Sequence, residues 1–307
     1  MKTPLSFGLQ LPSHLSWPET VENCRRLEAL GFDSLWLNDL VVSPMGAAQP
    51  WFSAWPSLAA LAVETTRIRL GTLISTFLLR HPALLAKDVV TVDHISGGRL
   101  EVGIGSGGGE AARDARALGL PFPDARGRAR RFQDGVALLD SLLRGNVVQA
   151  TGEHFQAHGV VVSPPPLQAH IPLTIAANGE AALKVAARFA TKWNSFMGEA
   201  PRAQSRDVIA TIHQRGEKLD EFALQGGRDP GEIARSFLHG WTPDTPWASP
   251  SAFEDFVGRY QEAGISEFIF PYPPELFATF AGFPTGSVQP GVFDKVAHEL
   301  IPTVRGQ

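Results

Sequence analysis

Three polar side chains that could do chemistry come soon after short apolar runs of the sequence. They are His14, Asp39 and His239. Either histidine can titrate near neutral pH, so either could move a proton to or from a substrate. Asp39 adds a carboxylate at the same kind of position. We therefore take His14, Asp39 and His239 as candidate catalytic residues.

Two glycine-containing segments could hold a ligand through their backbone. Residues 103–109 read Gly-Ile-Gly-Ser-Gly-Gly-Gly, and bare backbone of this kind lets a ligand approach closely. Asn178 and Gly179 come just before a predicted helix, where free backbone amides could bind a phosphate. A plain turn at the first segment and a simple helix cap at the second remain open alternatives.

Short β-branched runs alternate with helical stretches along the whole chain. Eight such strands imply a parallel sheet that closes into a filled barrel, with reactive groups at the carboxyl ends of the strands. We predict an α/β fold, a single (β/α)8 TIM-barrel domain over residues 1–307, with insertions after the second, fourth and seventh strands. An open doubly wound sheet is less favoured, because no linker or change of composition divides the chain. The predicted strands are Ser6–Gln10, Ser34–Asn38, Ile68–Ile74, Leu100–Gly105, Leu173–Ala176, Thr191–Ser195, Ala234–Leu238 and Glu267–Phe270, with short extra strands at Val147–Ala150, Phe155–Ala157 and Val160–Val162.

Other barrel chemistries lack the residues that they need. Lys192 begins a predicted strand, so it lies at the end of the barrel away from the site and is a poor Schiff-base lysine. Metal-dependent hydrolysis needs several ligands at strand ends, where only His14, Asp39 and His239 qualify, so we expect no metal. The second carboxylate of a glycosidase is also missing. A barrel hydrolase or lyase is therefore disfavoured.

Composition narrows the partners and the compartment. A formal net charge of -4, with interspersed signs, argues against nucleic acid. No apolar stretch approaches the roughly 18 residues of a membrane span. Cys24 is the only cysteine, which excludes an intrachain disulfide and favours the cytoplasm. We expect a small-molecule substrate, and neither nucleic acid nor membrane as a partner.

Residues 69–109 carry a long ordered pattern. It includes Arg-Leu-Gly-Thr-Leu-Ile at its start, Arg80-His81-Pro82-Ala83, His94-Ile95-Ser96-Gly97-Gly98-Arg99-Leu100 and Val-Gly-Ile-Gly-Ser-Gly near its end. This pattern resembles the luciferase-like monooxygenase family, the superfamily of flavin- and F420-dependent oxidoreductases. Ile-Ala-Ala-Asn-Gly at residues 175–179 extends the likeness, which covers most of residues 6–270.

The resemblance implies a flavin-type cofactor across the barrel mouth, either FMN or coenzyme F420 (F-420, a deazaflavin). It places Asp39 near the ring, and a strand bulge at Leu73-Ile74, often with a non-proline cis peptide, behind the ring. The spacing of the segments is closer to the F420-using branch. The implied cofactor-binding residues are Asp39, Leu73, Ile74, Ser75, Gly105, Ser106, Gly107, Ala177, Asn178 and Gly179.

Two departures from the family pattern affect the proton donors. The F420 branch usually has a catalytic histidine directly after the strand-two aspartate, and here Leu40 stands there. An acid expected after the strand-four glycines is replaced by Gly108, with Glu110 slightly later. His14 or His239 could substitute. A monooxygenase using reduced FMN and oxygen, a hydride-transferring F420 enzyme, and a non-catalytic flavin-binding relative all remain open.

Aromatic residues near the predicted rim suggest the kind of substrate. Phe196 and Trp241, with others, would line an apolar pocket, although they could equally pack loops onto the barrel. The leading prediction is an oxidoreductase acting on a small, apolar organic substrate. The resemblance also implies a homodimer.

Overall fold

The computed structural model describes residues 4–46, 49–197 and 205–305. Its strands are β1 (Ser6–Leu11), β2 (Ser34–Leu37), β3 (Arg69–Thr76), β4 (Leu100–Gly105), β5 (Val148–Thr151), β6 (Gln156–Val160), β7 (Leu173–Ala176), β8 (Lys192–Ser195), β9 (Ala234–Leu238) and β10 (Glu267–Pro271). Its α-helices are α1 (Trp17–Ala29), α2 (Ala54–Glu64), α3 (Pro82–Ser96), α4 (Gly109–Ala117), α5 (Ala125–Leu143), α6 (Glu180–Phe189), α7 (Ser205–Gln225), α8 (Pro250–Glu262), α9 (Pro274–Ala281), α10 (Val292–Lys295) and α11 (Ile301–Arg305). A π-helical turn, Val296–Leu300, links α10 to α11.

Eight parallel strands close into a barrel in the order β1-β2-β3-β4-β7-β8-β9-β10, with β10 hydrogen-bonded back to β1. The predicted TIM barrel is confirmed. Long connections follow its second, fourth and seventh strands, at residues 38–53, 106–124 and 239–249. Strands β5 and β6 form a separate antiparallel hairpin between α5 and β7. No helix in the described ranges is both long and apolar enough to cross a bilayer.

The indole of Trp36 fills the interior of the barrel. It is fully buried, and its Nε1 donates a hydrogen bond to Ser34 Oγ at 2.9 Å. Glycines face it from both neighbouring strands. A Cβ on Gly71 would lie 2.6 Å from the Trp36 ring, and one on Gly8 would lie 3.0 Å from its Nε1. Because only glycine leaves that space open, these strands can enclose a tryptophan.

A buried ion network closes the amino-terminal end of the barrel. Lys192 Nζ lies 2.9 Å from Glu101 Oε2 and 2.7 Å from Glu267 Oε1, and Arg69 also pairs with Glu101. Burial alone would lower the pKa of Lys192, but the carboxylates of Glu267 and Glu101 raise that pKa above its usual value. Lys192 is therefore a charged structural residue, in agreement with the sequence-based prediction that it lies away from the site.

The helices that follow the barrel strands begin in two different ways. Ser16 and Glu19 form a capping box at the start of α1, Asp124 caps α5, and Ser249 caps α8. Helices α4 and α6 instead begin at Gly108 and Gly179, which provide no side-chain cap. The N-cap residues of α4 and α6 therefore supply no side-chain acceptor to the first backbone amides of these helices.

Two details differ from the sequence-based prediction. Helices α4 and α9 were not predicted, because α4 begins at the last of three consecutive glycines and α9 is a short apolar segment between prolines. The predicted strand at Val160–Val162 is wrong, since β6 runs from Gln156 to Val160 and its last residue, Val160, still pairs with β5. The sequence also predicts a helix from about Arg202 to Glu221, and the start of that helix lies outside the described residues.

Candidate active site

An apolar platform lies inside the carboxyl-terminal mouth of the barrel. The β3–β4 register shifts between Thr72 and Ser75, and the Leu73–Ile74 peptide is cis, so the bulge and the non-proline cis bond expected there are both present. The platform is a separate apolar cluster from the one between the sheet and the helices. It consists of Trp36, Leu73, Leu238 and Ile269, with Ile74 and Phe196 packed against them.

An amide pair lies beside this platform. Gln10 Nε2 donates to Asn38 Oδ1 at 2.7 Å and to the carbonyl oxygen of Leu73 at 3.0 Å. These contacts join the ends of β1 and β2 to the β3 bulge. Gln10 lies near the end of β1, Asn38 directly follows β2, and Leu73 lies within β3. The amide pair therefore fixes the position of the Leu73 carbonyl at the mouth.

Asp39 is the centre of a buried hydrogen-bond cluster. Its carboxylate accepts from Ser75 Oγ at 2.7 Å and from Trp55 Nε1 at 3.2 Å. The guanidinium of Arg80 binds both carboxylate oxygens, through Nε at 3.0 Å and Nη2 at 3.1 Å. Asp39 is 8% exposed. The Asp39 carboxylate thus accepts from one arginine and two neutral donors, and the Ser75 hydroxyl proton is already donated to Asp39.

The glycines after β4 form a close-fitting cradle. A Cβ on Gly105 would lie 2.3 Å from Ile74 Cδ1, and one on Gly107 would lie 2.7 Å from Leu78 Cδ1. Gly107 also has a φ of +81°, which favours glycine. Ser106 is half-buried between them. Gly108 has no neighbouring atom within 4 Å of its Cβ position, so the cradle opens to the rim there.

Two uncapped helix N-termini lie on neighbouring strands of the rim. Gly105 pairs with Ala176, so α4 and α6 both start just beyond one point of the sheet. Ala177 is buried, and its carbonyl accepts from Trp193 Nε1 at 2.7 Å. Asn178 and Gly179 are exposed. The positive ends of two helix dipoles favour an anion at this part of the rim.

Arg215, on α7, adds a positive charge behind the N-terminus of α6. Its Nη1 donates to Asn178 Oδ1 at 3.0 Å and approaches Ser195 Oγ at 3.3 Å. Asn178 Nδ2 in turn donates to the carbonyl oxygen of Phe196 at 2.6 Å. Among the described residues Arg215 makes no ion pair, and burial lowers its pKa. The charge is thus available to an anion bound beside Asn178.

The loop after β1 contains two buried polar atoms without partners. His14 Nδ1 and Ser13 Oγ are inaccessible to solvent and make no hydrogen bond within the described residues. The Ser13 carbonyl accepts from the backbone amide of Phe52 at 3.1 Å, which ties this loop to the loop after β2. A bound molecule at the mouth could satisfy these atoms, because buried polar groups are normally hydrogen-bonded.

His239 lies on the helix side of the sheet. Its ring packs against Phe256 of α8, Phe270 of β10 and Phe277 of α9, with centroids 5.4, 5.8 and 6.5 Å away. Its Nε2 is 3.2 Å from the carbonyl oxygen of Asp244. Burial lowers the pKa of His239 to about 4, so the ring is neutral at neutral pH. Neither His239 nor His14 is hydrogen-bonded to Asp39 in the parts of the chain that the structure describes.

The segment with the unusual Leu40 is fixed by α4. Asp114 is fully buried, and its two carboxylate oxygens accept the backbone amides of Val41 and Val42 at 3.0 and 2.9 Å. Trp51 Nε1 donates to the Leu40 carbonyl oxygen at 3.1 Å. The loop after β2 is therefore held by a carboxylate from the insertion after β4.

The structure thus brings together Asp39, Ser75 and the β3 bulge, with the β4 glycines beside them, and it places the α6 segment on the next strand. Sequence reasoning gave no role to Arg80, Asp114 or Arg215. Arg80 is part of the family pattern, so an acid after the preceding strand could have been sought as its partner. In the described ranges no three His, Cys, Asp or Glu side chains converge as metal ligands.

The overall structure is similar to solved structures of cofactor-dependent oxidoreductases. An F420-dependent secondary alcohol dehydrogenase, in complex with an F420–acetone adduct, superposes with a TM-score of 0.78 and 18% identity over 97% of this chain and 100% of that one. A coenzyme F420-dependent tetrahydromethanopterin reductase from Methanopyrus kandleri superposes with a TM-score of 0.74 and 19% identity, over 98% of this chain and 100% of that one. A long-chain alkane monooxygenase superposes with a TM-score of 0.74 and 15% identity, over 100% of this chain and 92% of that one. At these identities the likeness shows the fold.

Sequence comparison gives closer relatives and the family. An F420-dependent glucose-6-phosphate dehydrogenase from Beutenbergia cavernae is 31% identical over 201 residues, which are 63% of this chain and 56% of that protein. The protein of the same name from Microbacterium testaceum is 29% identical over 242 residues, 76% of this chain and 67% of that protein. The chain thus spans little more than half the length of the first relative. Residues 3–240 match the family model of the luciferase-like monooxygenases, and the chain belongs to that family.

Proposed function

We propose that the protein is an oxidoreductase that uses a flavin-type cofactor, coenzyme F420 in preference to FMN, on a small, uncharged organic substrate. The observation that carries this proposal is the apolar platform of the barrel mouth beside two uncapped helix N-termini. The faces of a planar aromatic ring fit the apolar platform, and a phosphate fits the helix N-termini. Relatives named for F420 support the preference.

The residues present fit such a cofactor. Ile74 and Leu238 offer apolar surface to one face of a ring, and Gly105 leaves the space that a side chain would fill. Asn178 and Gly179 offer polar groups at the start of α6, with Arg215 as the counter-charge. His14 Nδ1 is a buried polar atom that lacks a partner in the described structure. Either cofactor, when bound, supplies the redox chemistry, which is hydride transfer for F420.

Asp39 positions this site and does not donate the proton. Its carboxylate accepts hydrogen bonds from Ser75, Trp55 and Arg80, and these contacts connect the end of β2 to β3, α2 and the segment before α3. His14 is the better candidate for moving a proton at the mouth, because its Nδ1 is unpartnered within the described residues. His239 is neutral and enclosed by aromatic rings, so we assign it a structural role under α9.

An aromatic wall on the β8–β9 side of the mouth supports an apolar substrate. Trp241 packs edge-on against Phe196, Phe277 and Phe280, with centroids 5.9, 5.4 and 6.0 Å away. Trp241 has a φ of 41°, the only positive value for a non-glycine residue in the described ranges. Phe196 also packs on the platform. An unusual backbone held among aromatic rings beside the site is consistent with a binding role.

A cofactor-binding protein without turnover is the second candidate. Leu40 stands where a catalytic histidine is usual in the F420 branch, and His239 is enclosed. Both candidates predict tight cofactor binding, and only the first predicts catalysis.

Anaerobic incubation with F420 and a panel of uncharged alcohols and ketones separates these candidates. We expect the deazaflavin absorbance to change with apolar secondary alcohols or ketones and not with sugar phosphates. In a separate aerobic assay, formation of an oxygenated product from the substrate with reduced FMN would support the monooxygenase alternative. Cofactor binding with no turnover of any substrate class would support the non-catalytic one.

We also propose that two copies associate as a homodimer in the cytoplasm. Val63 on α2 and Leu84 on α3 are 71% and 65% exposed, and these two helices pack side by side. Apolar side chains this exposed on neighbouring helices suit a contact with a second copy. Light scattering of the purified protein should give a dimer mass. The variant Val63→Glu/Leu84→Glu should give a monomer, and a monomeric wild type would contradict the proposal.

A further inference from the structure

A strongly basic segment borders the proposed cofactor site. Residues 113–131, here called the arginine rim, contain six arginines and two aspartates in a chain whose formal net charge is -4. The segment runs from α4 through the following loop into the first turns of α5. Its arginines are Arg113, Arg116, Arg126, Arg128, Arg130 and Arg131.

The two acids of the arginine rim do not neutralise its arginines. Asp114 is fully buried and accepts the backbone amides of Val41 and Val42. Asp124 accepts the backbone amide of Gly127 at 2.7 Å, as the cap of α5. Both carboxylates bind main-chain groups and neither forms an ion pair with an arginine of the segment, whose six arginines and two aspartates leave a formal charge of +4.

Two arginines of the rim are exposed on one face of α5. Arg126 and Arg130 are one helical turn apart, and neither makes a hydrogen bond or ion pair with any other described residue. Arg116, at the end of α4, is exposed in the same way. Like charges one turn apart on a helix repel each other, so an anion between them would remove an unfavourable interaction.

The arginine rim is continuous with the glycine cradle. Arg128 Nε donates to the carbonyl oxygen of Gly107 at 3.2 Å, and its Nη1 donates to that of Pro123 at 2.8 Å. Its guanidinium carbon also lies 4.5 Å from the centre of the Phe122 ring. The first turn of α5 is thereby fixed against the loop that would contact the cofactor, and the exposed arginines follow directly from it.

We infer that the arginine rim binds the acidic tail of a deazaflavin cofactor. Coenzyme F420 continues beyond its phosphate into a chain of glutamates, whereas FMN ends at its phosphate. Carboxylates of such a tail would pair with Arg126 and Arg130 through charge-assisted hydrogen bonds. This inference rests on the proposed function, and it explains how one barrel mouth would distinguish the two cofactors without contacting their rings differently.

Equilibrium titration at low salt with tailed F420, and with the same deazaflavin lacking its glutamates, tests the inference. Exposed arginine–carboxylate pairs each change affinity by about two- to fivefold, so the tail should strengthen binding about tenfold. Raising the salt concentration should narrow the difference, because exposed charges are screened. The variant Arg126→Gln/Arg130→Gln should bind both forms equally. A charge-matched control, Arg188→Gln/Lys295→Gln, should keep the difference, since these residues lie on α6 and α10.

The outcomes separate this inference from the proposed function. Equal binding of the tailed and tailless forms by the wild type would overturn the inference and leave the cofactor site intact. A tail preference that persists in Arg126→Gln/Arg130→Gln would also overturn it. Binding of neither form would refute the proposed function, and the inference with it.

Discussion

The pair of Asp39 and Arg80 is the most specific electrostatic feature of the site, and its coupling can be measured. Two arginine nitrogens bind the two carboxylate oxygens, at 3.0 and 3.1 Å. The side chains are 9% and 26% exposed. Breaking a fully buried pair costs about 3–5 kcal/mol, because the remaining charge loses its partner. Partial exposure of Arg80 reduces this to about 2–3 kcal/mol for either single variant.

A double-mutant cycle turns this estimate into a test. Asp39→Asn and Arg80→Gln should each lower the free energy of unfolding by about 2–3 kcal/mol, and the double variant by about the same amount. The coupling energy is then about 2 kcal/mol. For a chain of 307 residues, each single variant should lower the melting temperature by about 3–5 °C.

Urea unfolding, followed by tryptophan fluorescence, measures all four proteins of the cycle. Asp88→Asn is the matched control, because Asp88 also pairs with Arg80, at 3.2 Å, but is 38% exposed. Its loss should cost less than about 1 kcal/mol. If the Asp39 and Arg80 effects added to within about 0.5 kcal/mol, the two side chains would act independently and the reasoning would be refuted.

Three further predictions concern binding, packing and pH. Arg215→Gln should weaken FMN binding and leave riboflavin binding unchanged, whereas Arg188→Gln should affect neither; equal losses for both ligands would exclude a phosphate role. Gly103→Ala should lower the free energy of unfolding by about 3 kcal/mol, because its Cβ would lie 1.9 Å from the Thr72 carbonyl oxygen. The control Gly258→Ala, which has open space around its Cβ, should raise the free energy of unfolding in urea by about 0.5–1 kcal/mol. The lowered pKa of His239, about 4 against an unfolded value of 6.5, means that the unfolded chain binds the extra proton first. Stability should therefore fall between pH 6.5 and 4, by roughly 3 kcal/mol relative to His239→Gln, and parallel pH profiles for the two proteins would contradict the burial of this ring.

The barrel could be predicted from the sequence because its signal is repeated. Strands such as Leu100–Gly105 and Leu173–Ala176 are short, mostly apolar runs with glycine or asparagine within two residues of their ends, and the structure has both with the predicted bounds. Their order along the chain leaves few ways to close a parallel sheet. The bulge at Leu73-Ile74, in contrast, could be placed only through the family resemblance.

The features of the candidate site that could not be predicted from the sequence depend on contacts between residues far apart in the chain. Asp39 and Arg80 are 41 residues apart, and Asp114 reaches a loop 72 and 73 residues earlier in the chain. Composition does not indicate which acid meets which base. His239 shows the same limit in another way. It follows a barrel strand, as a catalytic residue would, but the alternation of side chains along β9 turns it towards α8 and α9.

Cofactor titration of the purified protein tests the central claim most directly. Intrinsic tryptophan fluorescence should respond, because Trp36 lies in the platform and Trp241 in the aromatic wall beside it. We predict saturable binding of F420 that is tighter than binding of FMN. Tighter binding of FMN would contradict the deazaflavin preference, and no saturable binding of either would contradict a flavin-type site at this barrel mouth.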